Sequence, residues 1–235
     1  MTAEIISLGL IWYVVFLFST TCHEAAHAFF ANKQGDSTAL DGGQVTLNPL
    51  PHIRREPFGM VLFPIASFLM GGWMMGWASA PYDPAWSTRY PHRAAKMALA
   101  GPAANFLLAF IAAIAIHLGL WTGAFHAPAS ANFTQIVSAS RPGLSEAAAQ
   151  TVSLLFSLNV LLGVFNLLPV PPLDGFSAVA LLMNEERAHR FEAIGRGMRN
   201  FSYAGLLLSW RVFGGLYDPV FSLALRILYP GAKYS

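Results

Sequence analysis

Apolar residues dominate five long runs of this chain, and shorter polar segments separate them. The runs cover approximately residues 5–31, 58–80, 94–121, 151–168 and 203–229. A helix crosses the hydrocarbon core of a bilayer with roughly 20 apolar residues, and each run is close to that length. The first run lacks a basic segment before it and a small-residue cleavage site after it, which predicts a retained helix rather than a signal peptide. The pattern therefore predicts an all-α polytopic membrane protein.

Composition favours lipid over water as the surroundings of this chain. Its residues are 55% apolar and 11% charged, with a mean hydropathy of +0.49, whereas soluble domains carry about 25% charged residues. The net charge of +2 offers no footprint for nucleic acid. The single cysteine, Cys22, excludes an intrachain disulfide. We expect residues 1–235 to form one membrane domain of several spans.

The first apolar run contains a pair of histidines spaced for a shared helix face. His23 and His27 are four residues apart, so on a helix both side chains can point at one metal ion. Glu24 lies beside them, where a carboxylate can deprotonate a water molecule. This pattern on a soluble helix is typical of a metalloprotease. At membrane depth it predicts a protease that works within the bilayer.

Asp174 is the other carboxylate near an apolar boundary, and its position constrains the topology. It follows the run at residues 151–168, and prolines in between must end a regular helix. If Asp174 shares a site with the histidines, an odd number of full crossings must separate them. The run at residues 94–121 supplies one crossing. The run at residues 58–80 is therefore predicted to be re-entrant, broken at its Pro and Gly residues.

The distribution of lysine and arginine tests this topology independently. One predicted side holds ten basic residues: Lys33, Arg54, Arg55, Arg89, Arg93, Lys96, Arg187, Arg190, Arg196 and Arg199. The opposite connection, at residues 122–150, holds only Arg141. Because basic residues accumulate on the cytoplasmic side, we expect the N-terminus outside and the histidine end of the first helix towards the cytoplasm.

A catalytic zinc usually has about three protein ligands, so a third is required. The extended soluble motif fails, because its later positions hold Phe30 and Lys33. A glutamate about 20 residues beyond the second histidine is missing near Leu47, and Glu56 is the first candidate. Asp174 is the best ligand by topology, since metal binding compensates for a carboxylate in an apolar setting. Capping of the following helix is an alternative role for it.

Three motifs in order make the chain resemble the site-2 protease family of intramembrane zinc metalloproteases. They are His-Glu-x-x-His at 23–27, Gly-x-x-x-Asn at 101–105, and Asn-x-x-Pro-x-Pro-x-x-Asp-Gly at 166–175. The resemblance is to small members without a PDZ or nucleotide-sensing domain. It implies a three-helix catalytic core at about residues 5–31, 94–121 and 151–168, followed by a C-terminal hydrophobic helix.

The resemblance also implies roles for individual residues. His23, His27 and Asp174 would bind one Zn²⁺, with Glu24 as the general base. Asn105 and Asn166 would contact substrate or the developing oxyanion, although bridging between helices is an alternative for both. For Gly101 the residue type itself predicts a structural role, since a glycine permits close helix packing.

A turn signal followed by Val, Thr and Leu predicts a short β-hairpin at about residues 41–48. Its edge, with Gly43 and Val45, could pair with an unwound substrate segment. The expected function is zinc-dependent hydrolysis of peptide bonds in or near transmembrane segments, with a membrane protein as substrate and lipid as surroundings. A catalytically inactive scaffold and a metal transporter are the alternatives, and the oligomeric state is left open.

Overall fold

The computed structural model describes residues 3–198 and 202–231, so Arg199 of the basic set lies outside the described residues. In chain order the helices are α1 (Ala3–Lys33), α2 (Thr38–Asp41), α3 (Pro49–Arg55), a π-helical turn (Phe58–Leu62), α4 (Phe63–Gly71), α5 (Pro84–Arg89), α6 (Pro91–Trp121), α7 (Leu144–Asn166), α8 (Asp174–Ala178), a 3-10 turn (Val179–Leu182), α9 (Glu185–Gly197) and α10 (Ser202–Leu228). Two short antiparallel strands, β1 (Phe125–His126) and β2 (Ser138–Ala139), lie between α6 and α7. The predicted helical class is confirmed.

Within the described residues, three helices are long and apolar enough to cross a membrane: Glu4–Lys33, Pro91–Trp121 and Leu144–Asn166. They correspond to the three runs predicted to form the core. Large apolar side chains stay exposed on their outer faces, including Val14 and Phe110, which are 62% and 63% exposed. An exposed apolar surface of this kind is stable against lipid tails and unstable in water. The chain is therefore a membrane protein.

Helices α1 and α7 run parallel to one another, and α6 runs antiparallel to both. Between α1 and α7, Trp12 and Leu154 belong to one buried cluster, and the side chains of Ser19 and Asn159 are hydrogen-bonded. Between α1 and α6, His23 contacts Asn105, and His27 donates to the Met97 carbonyl. Residue numbers increase together in the α1–α7 pairs, whereas in the α1–α6 pairs one number increases as the other decreases. The C-terminal ends of α1 and α7 therefore lie at the same end of the bundle.

The segment at residues 58–80 leaves and returns at one end of the bundle, as a re-entrant hairpin requires. Its π-helical turn and α4 have five and nine residues, and at 1.5 Å per residue they extend about 21 Å, short of a full crossing. The chain then folds back, and the Trp77 N–H donates to the Gly59 carbonyl at 3.1 Å. Soon afterwards the Asp83 N–H donates to Oδ2 of Asp36, just beyond the end of α1, at 2.9 Å.

The predicted β-hairpin at residues 41–48 is wrong. Oδ1 of Asp36 accepts hydrogen bonds from both the N–H and the hydroxyl of Thr38, which starts the helical turn α2 instead of a strand. Gly43 then reverses the chain with a φ of +70°. The Gln44 N–H donates back to the Ala39 carbonyl at 2.8 Å, so it is not available to a strand partner.

The C-terminal run forms one continuous helix, α10, which extends along α7 in the opposite direction. Near the end of α7, the rings of Phe165 and Phe213 meet with centroids 5.0 Å apart. Towards its other end, the Tyr229 hydroxyl donates to the Ile136 carbonyl at 2.9 Å. The N–H of Ile136 in turn donates to Oγ of Ser153, in the first half of α7, at 3.0 Å. The fold thus adds a fourth long helix to the outside of the three-helix core.

Candidate metal centre

Two histidines of α1 face one another inside the bundle. His23 and His27 are one helical turn apart, and only 7% and 6% of each residue is exposed. Their Nε2 atoms lie 3.0 Å apart and their ring planes are inclined by 82°. The two side chains therefore converge on one point between α1 and its neighbours.

Asp174 completes the cluster from the other side. Two tight turns follow α7, and Gly175 lies so close to the Leu167 carbonyl that a Cβ there would overlap it. Oδ2 of Asp174 lies 3.1 Å from Nε2 of His23, and Oδ1 lies 3.3 Å from Nε2 of His27. Asp174 is the first residue of α8, and no side-chain cap bond forms at that helix start. Asp174 therefore lies beside the histidine pair, as the predicted topology requires.

Hydrogen bonds on the far side of each ring determine which nitrogen faces the cluster. Nδ1 of His27 donates to the Met97 carbonyl at 2.8 Å, because a carbonyl can only accept. Nδ1 of His23 lies 2.6 Å from Oδ1 of Asn105, which is also an acceptor. A neutral imidazole carries one proton, so both Nε2 atoms present bare lone pairs to the cluster.

This donor set fits a divalent metal ion. Oδ2 of Asp174 is buried and accepts no hydrogen bond among the described residues. Two bare lone pairs and a carboxylate repel one another unless a cation lies between them. Tetrahedral zinc would hold N and O ligands roughly 3.3 Å apart, close to the separations found here.

The backbone of α6 forms one wall of the cluster. A Cβ at Gly101 would overlap the Nε2 atoms of both His23 and His27. Glycine is therefore required where α6 passes the two ligands. The sequence predicted only close helix packing for Gly101, and the structure adds that the packing partner is the histidine pair itself.

Glu24 lies on α1 directly beside the first histidine. The residue is 7% exposed, and no hydrogen bond ties its carboxylate to another described residue. A buried carboxylate with free oxygens beside a candidate metal site has the chemistry of a proton acceptor.

The two asparagines predicted to contact substrate have different surroundings. Asn105 is fully buried, and its Nδ2 donates to Oδ1 of Asn159 at 2.8 Å while its Oδ1 faces His23. Because the residue is completely buried, a contact with substrate would require this amide to become accessible. Asn166 is the last residue of α7, and its Nδ2 donates to the Leu162 carbonyl of its own helix at 3.0 Å. Substrate contact stays a prediction for both residues.

An apolar groove of about 390 Å³ runs beside the cluster, between α1, α6 and the segment that follows α2. Its lining consists of Cys22, Ala25, Ala26, Phe29, Phe30, Val45, Thr46, Leu47, Ala104, Leu107 and Leu108. Val45 thus borders the groove, whereas Gly43 supplies the turn before it and has open space around its Cα. Several lining residues adjoin His23, His27 or Asn105 in sequence, so the groove lies next to the candidate metal centre.

Two contributors to the site escaped the sequence reasoning. The Met97 carbonyl carries no signal in the sequence, because any residue could supply it. Asn159 did carry one, since it is an amide in the middle of an apolar run, and polar groups at membrane depth favour interior contacts.

Comparisons with known proteins identify a matching family and two relatives. The profile of Peptidase family M50 matches residues 11–209. The chain is 35% identical over 175 residues to "Putative zinc metalloprotease YwhC" of Bacillus subtilis (strain 168), covering 73% of this chain and 69% of that protein. It is 33% identical over 170 residues to "Putative zinc metalloprotease Rip2" of Mycolicibacterium smegmatis, covering 72% of this chain and 56% of that protein. No solved structure matches the chain.

Proposed function

This chain belongs to Peptidase family M50, the site-2 protease family, and on that premise we propose that it is a zinc-dependent endopeptidase that cuts membrane proteins in or near their transmembrane segments. The observation that carries the proposal is the cluster of His23, His27 and Asp174, whose ligand atoms all lie within 4.8 Å of one another. The cluster is built on helices long and apolar enough to cross a bilayer. Peptide hydrolysis would therefore take place at membrane depth.

The proposed zinc ligands are Nε2 of His23, Nε2 of His27 and the carboxylate of Asp174. Three protein ligands leave a fourth position open, as catalytic zinc sites do. A zinc ion held there would supply Lewis acidity for the scissile carbonyl and for the attacking water. The relatives YwhC and Rip2 bear the name zinc metalloprotease, which supports zinc over other divalent ions.

Glu24 is the proposed general base. Its carboxylate accepts the proton of the attacking water and passes it to the amine of the leaving peptide segment. The position of Glu24 supports this role, because its buried carboxylate adjoins His23 and its oxygens make no hydrogen bond to a described residue, so they remain available to a water molecule. Conversion to glutamine would leave the shape of the site intact and remove the acceptor.

The segment at residues 45–47 is the proposed binding edge for substrate. A transmembrane helix hides its carbonyls, so the substrate must unwind before hydrolysis and then needs new backbone partners. The N–H and C=O groups of Val45 and Leu47 make no hydrogen bond to any described residue. Both residues line the groove beside the candidate metal centre. An extended substrate could therefore pair with this edge without a preformed strand.

Buried polar side chains hold this edge in place. The Gln44 side chain donates to the Ser79 carbonyl at 3.2 Å, and Nε2 of His52 donates to the Thr46 carbonyl at 3.1 Å. Both Gln44 and His52 are almost fully buried. An edge that is already ordered loses little entropy when substrate pairs with it.

The proposed function is tested by comparing wild-type protein with Glu24→Gln and with His23→Ala, His27→Ala and Asp174→Ala. We expect purified wild type and Glu24→Gln to contain one zinc ion, and the other three variants to lose it. In cells that produce each form, shortened fragments of membrane proteins should appear with wild type only. Full zinc retention in the three ligand variants would refute the metal site. Cleavage by Glu24→Gln would refute the general base.

A further inference from the structure

A chain of buried amide hydrogen bonds connects all three core helices to one of the proposed ligands. Oδ1 of Asn105 accepts from Nδ1 of His23 at 2.6 Å, and Nδ2 of Asn105 donates to Oδ1 of Asn159 at 2.8 Å. Nδ2 of Asn159 donates onward to Oγ of Ser19 and to the Leu155 carbonyl, both at 2.8 Å. Ser19, Asn105 and Asn159 are completely buried. No solvent competes with these bonds.

One backbone carbonyl determines the direction of the whole chain. The Leu155 carbonyl can only accept, so Asn159 must turn its NH₂ group towards it and its Oδ1 towards Asn105. Asn105 must then present its own NH₂ group to Asn159, which leaves its Oδ1 facing His23. Nδ1 of His23 is consequently the protonated nitrogen, and its Nε2 keeps a lone pair directed at Asp174.

We propose that Asn159 is a positioning residue for His23, which acts through Asn105 to select the imidazole tautomer and orientation that bind the metal. This inference rests on the proposed zinc site. Without Asn159 no other described residue would fix the amide of Asn105 by a hydrogen bond, because an amide can rotate and present either its oxygen or its NH₂ group to His23. An NH₂ group facing Nδ1 would move the imidazole proton to Nε2 and remove one ligand lone pair.

A neighbour of Asn159 on the same helix provides a matched control. Ser157 is also completely buried, but its Oγ has no hydrogen-bond partner among the described residues. If the buried polar groups of α7 contributed only to folding, Ser157→Ala and Asn159→Leu would both change the stability of the protein without a specific effect on metal binding. Ser19→Ala is a second control, because the Leu155 carbonyl alone still orients Asn159.

The experiment measures metal binding on purified full-length protein, independently of cleavage. Zinc affinity is determined by competition with a chromophoric chelator, and the visible absorption of the Co²⁺ form reports the ligands around the metal. Loss of an orienting partner behind a metal ligand typically weakens binding about 10- to 100-fold. We expect that loss in Asn159→Leu, with an altered Co²⁺ spectrum. Ser157→Ala and Ser19→Ala should match wild type in both measurements.

A second substitution separates orientation from simple packing. An aspartate at position 105 has only acceptor oxygens, so it holds the Nδ1 proton of His23 however it is turned. Asn105→Asp should therefore restore most of the zinc affinity that Asn159→Leu removes. Wild-type affinity and spectrum in folded Asn159→Leu, or an absence of rescue, would overturn the inference. If Asn159→Leu does not fold, the smaller Asn159→Ala carries the same expectations. Failure of wild type itself to bind zinc would instead refute the proposed function.

Discussion

The N–H of Trp77 donates to the carbonyl of Gly59 at 3.1 Å, so a long apolar segment leaves the bundle end and comes back to it. A Cβ at Gly76 would overlap the same carbonyl, and this close return therefore requires a glycine. Because the segment does not cross, only α6 separates α1 from α7. The C-terminal ends of α1 and α7 consequently meet, and Asp174 reaches the histidines.

This connectivity predicts on which side of the membrane each loop lies. With Cys22 replaced by serine, a new cysteine at Glu186 should react with a membrane-impermeant maleimide only in inside-out vesicles, since the basic side is predicted to be cytoplasmic. A cysteine at Ser130 should react only in right-side-out vesicles. Both positions are exposed, so access to the side chain does not limit labelling. Labelling of both positions from one side would contradict the topology.

The contact between Gly101 and the histidine pair predicts a variant that loses metal while keeping every ligand. In Gly101→Ala the new methyl group overlaps both Nε2 atoms. Overpacking costs about 1–3 kcal/mol, which corresponds to about 5- to 150-fold in zinc affinity. Zinc content and affinity of the purified protein measure the effect.

Gly119→Ala is the control for that experiment. Its Cβ would overlap the ring of Phe125, about five turns along α6 from Gly101. We expect a lower melting temperature with unchanged zinc affinity. Equal zinc loss in both variants would mean that general helix packing, and not space at the ligands, explains the effect of Gly101→Ala.

The proposed substrate edge predicts a separation of metal binding from cleavage. Proline at Val45 or Thr46 removes a backbone N–H and fixes φ, so an extended segment could no longer pair there. We expect Val45→Pro and Thr46→Pro to abolish cleavage while zinc remains bound. Val45→Ala keeps the backbone groups and should retain most activity. Unaltered cleavage by the proline variants would show that substrate binds elsewhere.

Helix α10 is predicted to support the loop that carries Asp174. A Cβ at Gly205 would overlap the carbonyl of Pro171, three residues before the proposed ligand. Gly205→Ala should displace this loop, and an overpacking cost of about 1–3 kcal/mol is expected to appear as weaker zinc binding and a lower melting temperature.

Gly214 lies on the same helix and offers the matched comparison, because a Cβ there would meet nothing within 4 Å. Gly214→Ala should leave zinc affinity unchanged and stabilise the helix by up to about 1 kcal/mol, since alanine favours helix over glycine. If Gly205→Ala behaves like Gly214→Ala, the loop does not depend on α10.

Local patterns predicted the elements of this protein well. Long apolar runs gave the core helices, because the thickness of a bilayer sets the length of a span. The four-residue spacing of His23 and His27 placed them on one face, since helical periodicity is independent of the rest of the fold. Counting crossings brought Asp174 to the same depth. These inferences needed only the length of each apolar run, the periodicity of a helix and the direction in which each helix crosses the bilayer.

The prediction of a hairpin at residues 41–48 was wrong because contacts with residues outside this segment determine its structure. Asp36 hydrogen-bonds Thr38 and also accepts the N–H of Asp83, far along the chain. Gln44 is likewise held by the Ser79 carbonyl. A turn signal in the sequence carries no information about such distant partners, so strand propensity was overridden by tertiary contacts.

The sequence by itself determined that this chain is a helical membrane protein of the site-2 protease family, with two histidines, a glutamate and an aspartate available for one site. Only the tertiary structure decided how the ligands are held. It placed Gly101 against both Nε2 atoms, and it joined His23 to Asn159 through Asn105. Those contacts depend on the rotation of each helix about its own axis, which is set by packing among all three helices rather than by any single run of residues.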